Sequence, residues 1–213
     1  MNASSSSPSA IRVMVVDDHP LLRDGVASVL EREPDVELVA QAADGQEAIE
    51  RFAELRPDVT LMDLQMLGTD GLTALLEIRR RWPDARVVIL TMYRGDAQAL
   101  RALKAGARGY LLKSMIFDEM MLAIRAAHAG STYIPPEIAA ELAAHATDNT
   151  LSARELDVLK WVAAGNSNRK VADGLGVSED AVKAHMRSIM NKLSASDRTH
   201  AVTIALRRGM IDV

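Results

Sequence analysis

The chain has 213 residues with 25 Lys or Arg, 29 Asp or Glu and no Cys. This length suits one large or two ordinary domains, and 48% hydrophobic with 25% charged residues is typical of a soluble globular protein. Without cysteine there is no disulfide framework and no thiolate metal site, and we expect a reducing cytoplasm. Residues 1–10 are rich in Ser and lack an apolar signal-peptide core, so we predict a disordered tail there.

The charges are distributed unevenly along the chain. Residues 1–149 contain 15 basic and 22 acidic side chains, whereas residues 150–213 contain 10 basic and 7 acidic side chains. An acidic large part joined to a basic small part indicates two domains with different partners.

The first part of the sequence alternates short apolar runs with amphipathic helical patterns. The runs rich in β-branched residues predict strands at 11–16, 36–40, 59–62, 87–91 and 109–112. The helical patterns that follow them lie at 21–31, 46–54, 72–81, 97–105 and 117–129. Strands alternating with helices form a parallel sheet covered on both faces, with right-handed crossovers. We therefore predict an α/β, doubly wound parallel sheet over residues 11–130, with ligands beyond the carboxyl ends of the strands.

The second part of the sequence contains only helical patterns. Residues 131–149 predict a linker with one helix, because Pro135-Pro136 precedes an Ala-rich helical stretch at 137–146. The helices expected after it lie at 153–164, 167–175, 179–193 and 198–208. The turn Gly176-Val177-Ser178 suits a helix-turn-helix, because Gly permits the turn and Ser caps the next helix. Residues 150–213 are thus predicted to form an all-α helix-turn-helix domain.

Polar side chains stand at the ends of four predicted strands. Asp17, Asp18 and Asp63 end the first and third strands, and three neighbouring carboxylates repel one another unless a cation lies among them. Mg²⁺ prefers such oxygen ligands and also recruits phosphate oxygens. Thr91 and Lys113 end the fourth and fifth strands, where a hydroxyl and an ammonium complement a phosphoryl group. A carboxylate can itself accept phosphoryl as an acyl phosphate, which makes phosphorylation a plausible chemistry for this edge.

The same residues lie in motifs that carry a family resemblance. The motifs VVDDHPLLRDG, LMDLQM with the following Asp70-Gly71, VVILTM and GYLLK occur in this order over residues 11–130. Together they resemble the receiver domain of bacterial response regulators. The resemblance implies a flavodoxin-like (βα)5 fold for this part of the chain.

The receiver resemblance also implies a role for each residue at the sheet edge. Asp63 would be the phosphoacceptor, and Thr91 and Lys113 would engage the phosphoryl oxygens. The implied Mg²⁺ ligands are Asp17, Asp18, Asp63 and the backbone carbonyl of Gln65. Tyr110 occupies the family's switch-aromatic position, where the ring follows the Thr91 hydroxyl. Its alternative reading is an ordinary strand aromatic.

Two positions depart from the receiver pattern without removing a reacting group. The family usually has Pro where this chain has Leu67, and losing that Pro frees the backbone of the loop after Asp63. The family often has Pro after the lysine of the fifth strand, where this chain has Ser114. The resemblance suggests a cis peptide bond between Lys113 and Ser114.

The predicted helix at 179–193 has one apolar and one polar face. The polar face carries Lys183, Ala184 and Arg187, and such a helix can enter a major groove. The residues expected to hold phosphates are Asn168, Arg169, Lys170 and Lys192. From composition alone, a plain helical bundle with solvated charges explains the pattern equally well.

Residues 150–208, which contain LSARELDVLKWVAAG from Leu151 onward, are similar to the LuxR-type output domain of NarL/FixJ response regulators. The resemblance implies a four-helix domain whose third helix reads DNA with Lys183, Ala184 and Arg187. It favours dimerisation on DNA through the last helix, with contacts from the small apolar residues Ala201, Val202 and Ala205. The alternative is that this helix packs on its own domain. Gly174 is unusual and should weaken its helix by about 1 kcal/mol relative to Ala.

These features predict a DNA-binding transcriptional response regulator, switched by Mg²⁺-dependent phosphorylation of Asp63. The expected partners are promoter DNA, a sensor histidine kinase and a second copy of the chain, with no membrane. We expect no enzyme activity beyond self-phosphorylation from small phosphodonors and autodephosphorylation. Two alternatives stay open: a regulator that binds DNA without phosphorylation, and a Mg²⁺-dependent aspartyl phosphatase. The second lacks an acid two residues after Asp63, where the chain has Gln65.

Overall fold

The computed structural model describes residues 10–92, 96–144 and 151–211. The predicted disordered tail, apart from Ala10, lies outside the described residues. The contacts divide the described residues into two compact units, one formed by residues 10–92 and 101–136 and the other by residues 96–100, 137–144 and 151–211. Within the described ranges, no helix combines the length and the apolar character that crossing a membrane requires.

The first unit is built on a parallel sheet. Its strands in the described part of the chain are β1 (Ile11–Val16), β2 (Val36–Ala42), β3 (Val59–Asp63), β4 (Val87–Thr91) and β5 (Gly109–Leu112). Their order across the sheet is β2-β1-β3-β4-β5, and all neighbouring pairs are parallel. The predicted doubly wound fold is confirmed.

Helices connect these strands, as the alternating pattern predicts. They are α1 (Pro20–Leu30), α2 (Gly45–Leu55), α3 (Gly71–Arg81), α4 (Asp96–Lys104) and α5 (Ile116–His128). Side chains from α1 and α5 form one hydrophobic core with alternate residues of β1, β3 and β4. Successive strand residues point to opposite faces of the sheet, so the strand residues that alternate with these core residues lie on the other face. There α2 contacts β1, β2 and α3.

A single turn of 3₁₀ helix, Lys113–Met115, joins β5 to α5. The described residues contain no cis peptide bond, so the expected cis bond between Lys113 and Ser114 is wrong. Without the proline ring, a cis bond costs on the order of 3 kcal/mol, which explains the trans form at Ser114.

The loop between β3 and α3 is held at both ends by glycines. The Gly71 amide donates to the Leu64 carbonyl, and the Gly45 amide donates to the Thr69 carbonyl, each at 3.0 Å. A Cβ on Gly71 would lie 1.9 Å from the carbonyl oxygen of Asp63, and one on Gly45 would lie 2.5 Å from that of Thr69. Both positions therefore require a residue without a side chain.

The described part of the second unit is helical. Its helices are α6 (Pro136–Ala144), α7 (Ala153–Ala163), α8 (Asn168–Leu175), α9 (Glu179–Lys192) and α10 (Arg198–Arg207). The helix predicted at 137–146 corresponds to α6, and its predicted end at residue 146 lies outside the described residues. Gly176 ends α8 with a φ of 66°, and the Ser178 hydroxyl accepts the Ala181 amide at the start of α9. The predicted helix-turn-helix is confirmed, with its own hydrophobic core.

Glu155 connects α7 to α9 in the second unit. It is 4% exposed, and its carboxylate accepts hydrogen bonds from the Ser188 hydroxyl at 2.6 Å and the Lys192 ammonium at 2.7 Å. It also accepts the Ser152 amide in a capping box. Burial acts to raise the pKa of Glu155, but the hydrogen bonds from Lys192 and Ser188 outweigh it and lower the pKa to about 2.

Gly174 has a packing role in α8. A Cβ at this position would lie 2.4 Å from the ring of Trp161, so the glycine lets the indole of α7 approach the α8 backbone. The lower helix propensity of Gly174 is therefore accompanied by aromatic packing that another residue would block.

We predict that Gly71→Ala lowers the free energy of unfolding of the first unit by more than about 2 kcal/mol, because the methyl group meets the fixed backbone of Asp63. The matched variant is Gly25→Ala in α1, where a Cβ would meet only the end of the Phe117 ring, at 3.1 Å. That change should stay within about 1 kcal/mol of wild type. Urea unfolding followed through Trp82, in a Trp161→Phe background, measures both. Equal losses in the two variants would contradict the steric argument.

We predict that acid weakens the second unit through Glu155. Its pKa is lower in the folded chain than its ordinary value of 4.5, so its contribution is complete above that value and is lost as the pH falls toward 2. The loss is at most about 3 kcal/mol. Urea unfolding followed through Trp161, in a Trp82→Phe background, should show a smaller loss between about pH 6 and about pH 3 in Glu155→Gln than in its parent. Identical acid sensitivity would refute the assignment.

Candidate functional site

The predicted polar residues meet at the carboxyl edge of the sheet. Asp17 directly follows β1, Asp63 and Thr91 are the last residues of β3 and β4, and Lys113 directly follows β5. The register aligns these ends, because Asp63 pairs with Leu90, the residue before Thr91. Parallel strands place their carboxyl ends on one edge, which brings the side chains together.

Lys113 lies between two carboxylates. Its ammonium is 2.7 Å from Oδ2 of Asp17 and 2.8 Å from Oδ2 of Asp63, and all three side chains are buried. The backbone amide of Gln65 donates to Oδ1 of Asp63 at 3.3 Å, which places the Gln65 backbone beside the same carboxylate. One cation is therefore shared by two buried anions.

Burial and pairing act against each other at this site. Burial raises the pKa of Asp63, helped by the neighbouring Asp17 charge, although the hydrogen bond and charge of Lys113 oppose the shift. Burial acts to lower the pKa of Lys113, but its hydrogen bonds to Asp17 and Asp63 outweigh burial and raise it. Lys113 thus stays charged, and Asp63 carries incompletely compensated negative charge.

The acidic residues have the spacing of a metal site. Ligand atoms of Asp17, Asp18, His19 and Asp63 all lie within 4.8 Å of one another. With metal–oxygen distances of roughly 2.1 Å, opposite ligands of an octahedral Mg²⁺ are about 4.2 Å apart, so the most widely separated of these atoms would have to draw together by about 0.6 Å to surround one ion. Three carboxylates against one Lys113 ammonium leave two negative charges, which a dication would balance.

Two neighbours of this site were not singled out from the sequence. His19, which precedes α1, has Nδ1 2.7 Å from Oδ1 of Asp18 and 3.1 Å from Oδ1 of Asp17. Arg23 donates from Nη1 to the backbone carbonyl of Asp17 at 2.5 Å. The sequence signal that could have identified Arg23 is its place in the first turn of α1, the helix that follows β1.

Thr91 and Tyr110 are both buried on the neighbouring strands. Thr91 is paired in register with Leu112, and Tyr110 with Ile89, two residues before Thr91. Tyr110 is completely buried. The register therefore places Tyr110 on the strand next to Thr91, two residues before the level of Thr91.

The helix-turn-helix has a polar face of the predicted kind. Val182, Met186 and Ile189 of α9 are buried, which leaves Lys183, Ala184 and Arg187 exposed. A groove of about 420 Å³ brings several predicted residues together and is lined by Asn168, Lys183, Met186, Arg187, Met190 and Arg198. The groove is basic, as a surface for phosphates and base edges requires.

The remaining predicted DNA contacts differ in their surroundings. Arg169 and Lys170 are exposed on α8, outside the groove lining. Lys192 contacts Glu155, so its ammonium is already paired. Lys183 lies 2.9 Å from Asp180, and their hydrogen bond lowers the pKa of Asp180 and raises that of Lys183.

The structure corrects the dimerisation prediction at Ala201 and Ala205, whereas at Val202 it stays a prediction. Ala201 and Ala205 of α10 are 0% exposed and belong to the core of their own domain, and Val202 is half-buried against it. Small residues that pack inside the domain offer no surface to a second copy. The exposed residues of α10 are Arg198, Thr199, His200, Thr203 and Arg207.

Comparisons with known proteins agree with both units. The sequence matches the family described as "Response regulator receiver domain" over residues 13–125 and the family described as "Bacterial regulatory proteins, luxR family" over residues 149–205. It is 37% identical over 210 residues to the transcriptional regulatory protein LiaR of Bacillus subtilis, covering 95% of this chain and 100% of LiaR. It is 35% identical over 216 residues to the oxygen regulatory protein NreC of Staphylococcus carnosus, with 95% and 100% covered.

A solved structure is also similar over most of the chain. RcsB from Salmonella enterica serovar Typhimurium, bound to a promoter in the presence of the phosphomimetic BeF3⁻, matches with a TM-score of 0.74 and 26% identity, over 92% of this chain and 98% of RcsB. Relatives of this kind are DNA-binding regulators rather than classical enzymes. The chain therefore belongs to the NarL/FixJ type of two-component response regulators, transcriptional regulators that join a receiver domain to a LuxR-type DNA-binding domain.

Proposed function

We propose that Asp63 is the phosphoacceptor of this regulator and receives its phosphoryl group from a sensor histidine kinase. The observation that carries the proposal is the Lys113 ammonium, held 2.8 Å from the Asp63 carboxylate in a buried acidic pocket. The proposed Mg²⁺ ligands are Asp17, Asp18, Asp63 and the Gln65 carbonyl. Mg²⁺ would neutralise charge on the phosphoryl oxygens and the carboxylates.

Residues of this chain act as the nucleophile, bind the phosphoryl oxygens and respond to the phosphorylation. An oxygen of the Asp63 carboxylate forms the new bond to phosphorus, while the bond from phosphorus to the kinase imidazole breaks and the imidazole leaves. Lys113 then pairs with the phosphoryl oxygens, and the Thr91 hydroxyl donates to one of them. Tyr110 follows Thr91 as the switch residue. Self-phosphorylation from small phosphodonors and autodephosphorylation are the chemistry we assign to the chain alone.

We propose that α9 reads promoter DNA in the major groove. Lys183, Ala184 and Arg187 are assigned to base edges, and Lys183 must leave Asp180 to make its contact. The phosphate contacts are assigned to Asn168, Arg169, Lys170 and Lys192. The ammonium of Lys192 has three donors, so a phosphate can share it with Glu155.

The domain boundaries and the assembly complete the proposal. We assign residues 11–130 to the receiver, 131–149 to the linker and 150–213 to the DNA-binding domain, after a tail at 1–10. A second copy of the chain is proposed as the partner on DNA, supported by the similar solved structure of two RcsB dimers bound to DNA. Because promoter DNA is the proposed partner, we assign the protein to the bacterial cytoplasm.

We predict that wild-type protein with Mg²⁺ and acetyl phosphate gains the mass of one phosphoryl group, whereas Asp63→Asn gains none, because an amide does not attack phosphorus. Intact-mass spectrometry measures both. Asp70→Asn is the matched control, since Asn can still cap α3 at this exposed position and the mass gain should persist. Equal phosphorylation of Asp63→Asn would move the acceptor elsewhere, and an unmodified wild type would favour a phosphorylation-independent regulator.

We predict different effects for two arginines on DNA binding. Duplexes selected by the wild type from a random pool provide the specific probe, and the unselected pool provides the non-specific one. Arg187→Ala should weaken binding to the selected duplex about 10- to 100-fold and to the pool much less, because base contacts carry the specificity. Arg169→Ala should weaken both alike and reduce the salt dependence. If both variants lose affinity equally for the two probes, the assignment of Arg187 to a base is wrong.

A further inference from the structure

The chain that leaves α5 runs beside the last strand of the receiver sheet. The Tyr133 amide donates to the Arg108 carbonyl at 3.0 Å, and the Tyr110 amide donates to the Tyr133 carbonyl at 3.1 Å. These bonds form a parallel bridge between Gly109 and Tyr133. The first residues of the proposed linker are thus paired with β5 at the proposed switch residue.

The Tyr133 side chain adds a second attachment. Its ring packs against the hydrophobic core formed with α1 and α5, and its hydroxyl donates to the Glu119 carboxylate of α5 at 3.1 Å. Burial, together with this hydrogen bond and the charge of Glu119, raises the pKa of Tyr133. The phenol therefore remains a neutral donor near neutral pH, and residue 133 is fixed to both β5 and α5.

Gly109 shows independently that the two segments are closely packed. A Cβ at this position would lie 3.2 Å from the Tyr133 carbonyl oxygen and 3.0 Å from a methyl group of Val88. A side chain there would make tight contacts with both neighbours, so Val88 and the Tyr133 carbonyl would have to shift by a few tenths of an ångström. The sequence of β5 is therefore adapted to the docked segment.

We propose that Tyr133 is a positioning residue that ties the start of the linker to the backbone of Tyr110 and transmits a change in β5 to the linker. This inference rests on the proposed function, in which Tyr110 follows phosphorylation of Asp63. A shift of β5 at Tyr110 moves the Tyr133 carbonyl directly through their hydrogen bond. The Glu119 contact makes residue 133 move with α5 instead of yielding as a flexible chain would.

The test measures coupling in the full-length chain. DNA affinity is determined for the selected duplex with and without Mg²⁺ and beryllofluoride, and the ratio of the two affinities is compared among variants. Tyr133→Phe removes the hydroxyl alone, Glu119→Ala removes its acceptor, and Thr132→Val changes an exposed neighbour as the matched control. We expect the first two variants to bring the ratio closer to one by about three- to tenfold, because the loss of one hydrogen bond changes an equilibrium by about that factor. Thr132→Val should keep the wild-type ratio.

Two further measurements separate transmission from simple stability. The double variant Tyr133→Phe/Glu119→Ala should reduce the ratio no more than either single variant, because both remove the same bond. Intact mass should show wild-type phosphorylation from acetyl phosphate in all variants.

The outcomes distinguish this inference from the function on which it rests. An unchanged ratio in Tyr133→Phe, whatever its effect on thermal stability, overturns the inference and leaves the proposed function intact. A wild type whose DNA affinity ignores beryllofluoride overturns the proposed function and this inference with it.

Discussion

The carboxyl edge of the receiver sheet brings together more negative than positive charge. Lys113 is shared by the buried carboxylates of Asp17 and Asp63, and Asp18 adds a further negative charge nearby. Fully paired, this pocket would be a structural ion network of the kind found in many proteins. Because it is underpaired, it favours a dication and a group whose oxygens can use the Lys113 donors.

The second unit contains a buried carboxylate whose charge is balanced. Glu155 is held by Lys192, by Ser188 and by the start of α7. The pKa of Glu155 is lowered because its hydrogen bonds outweigh burial, whereas the pKa of Asp63 is raised because burial outweighs its contact with Lys113. Contacts between lysine and buried carboxylates therefore outweigh the effect of burial on the pKa at Glu155 and do not outweigh it at Asp63.

Periodicity predicted the strands, the helices and the convergence of the acidic edge, because strand ends in a parallel sheet follow directly from the order of elements. It could not predict which face of α10 is covered. Ala201 and Ala205 share a face by spacing alone, and only the packing of the other helices makes that face the interior. The pairing of Lys192 with Glu155 joins positions 37 residues apart, for which a single sequence holds no signal.

The loop after Asp63 illustrates how backbone contacts replace a residue that the family pattern provides. Leu67 stands where Pro would restrict φ, yet the hydrogen bonds of Gly71 to Leu64 and of Gly45 to Thr69 fix the loop on both sides. Leu67 is 85% exposed, so its side chain has little packing to lose. The backbone freedom gained by losing Pro thus falls on an exposed residue between Leu64 and Thr69, whose carbonyls accept these hydrogen bonds. The geometry around the carboxylate instead depends on two glycines whose Cβ positions are occupied by neighbouring backbone.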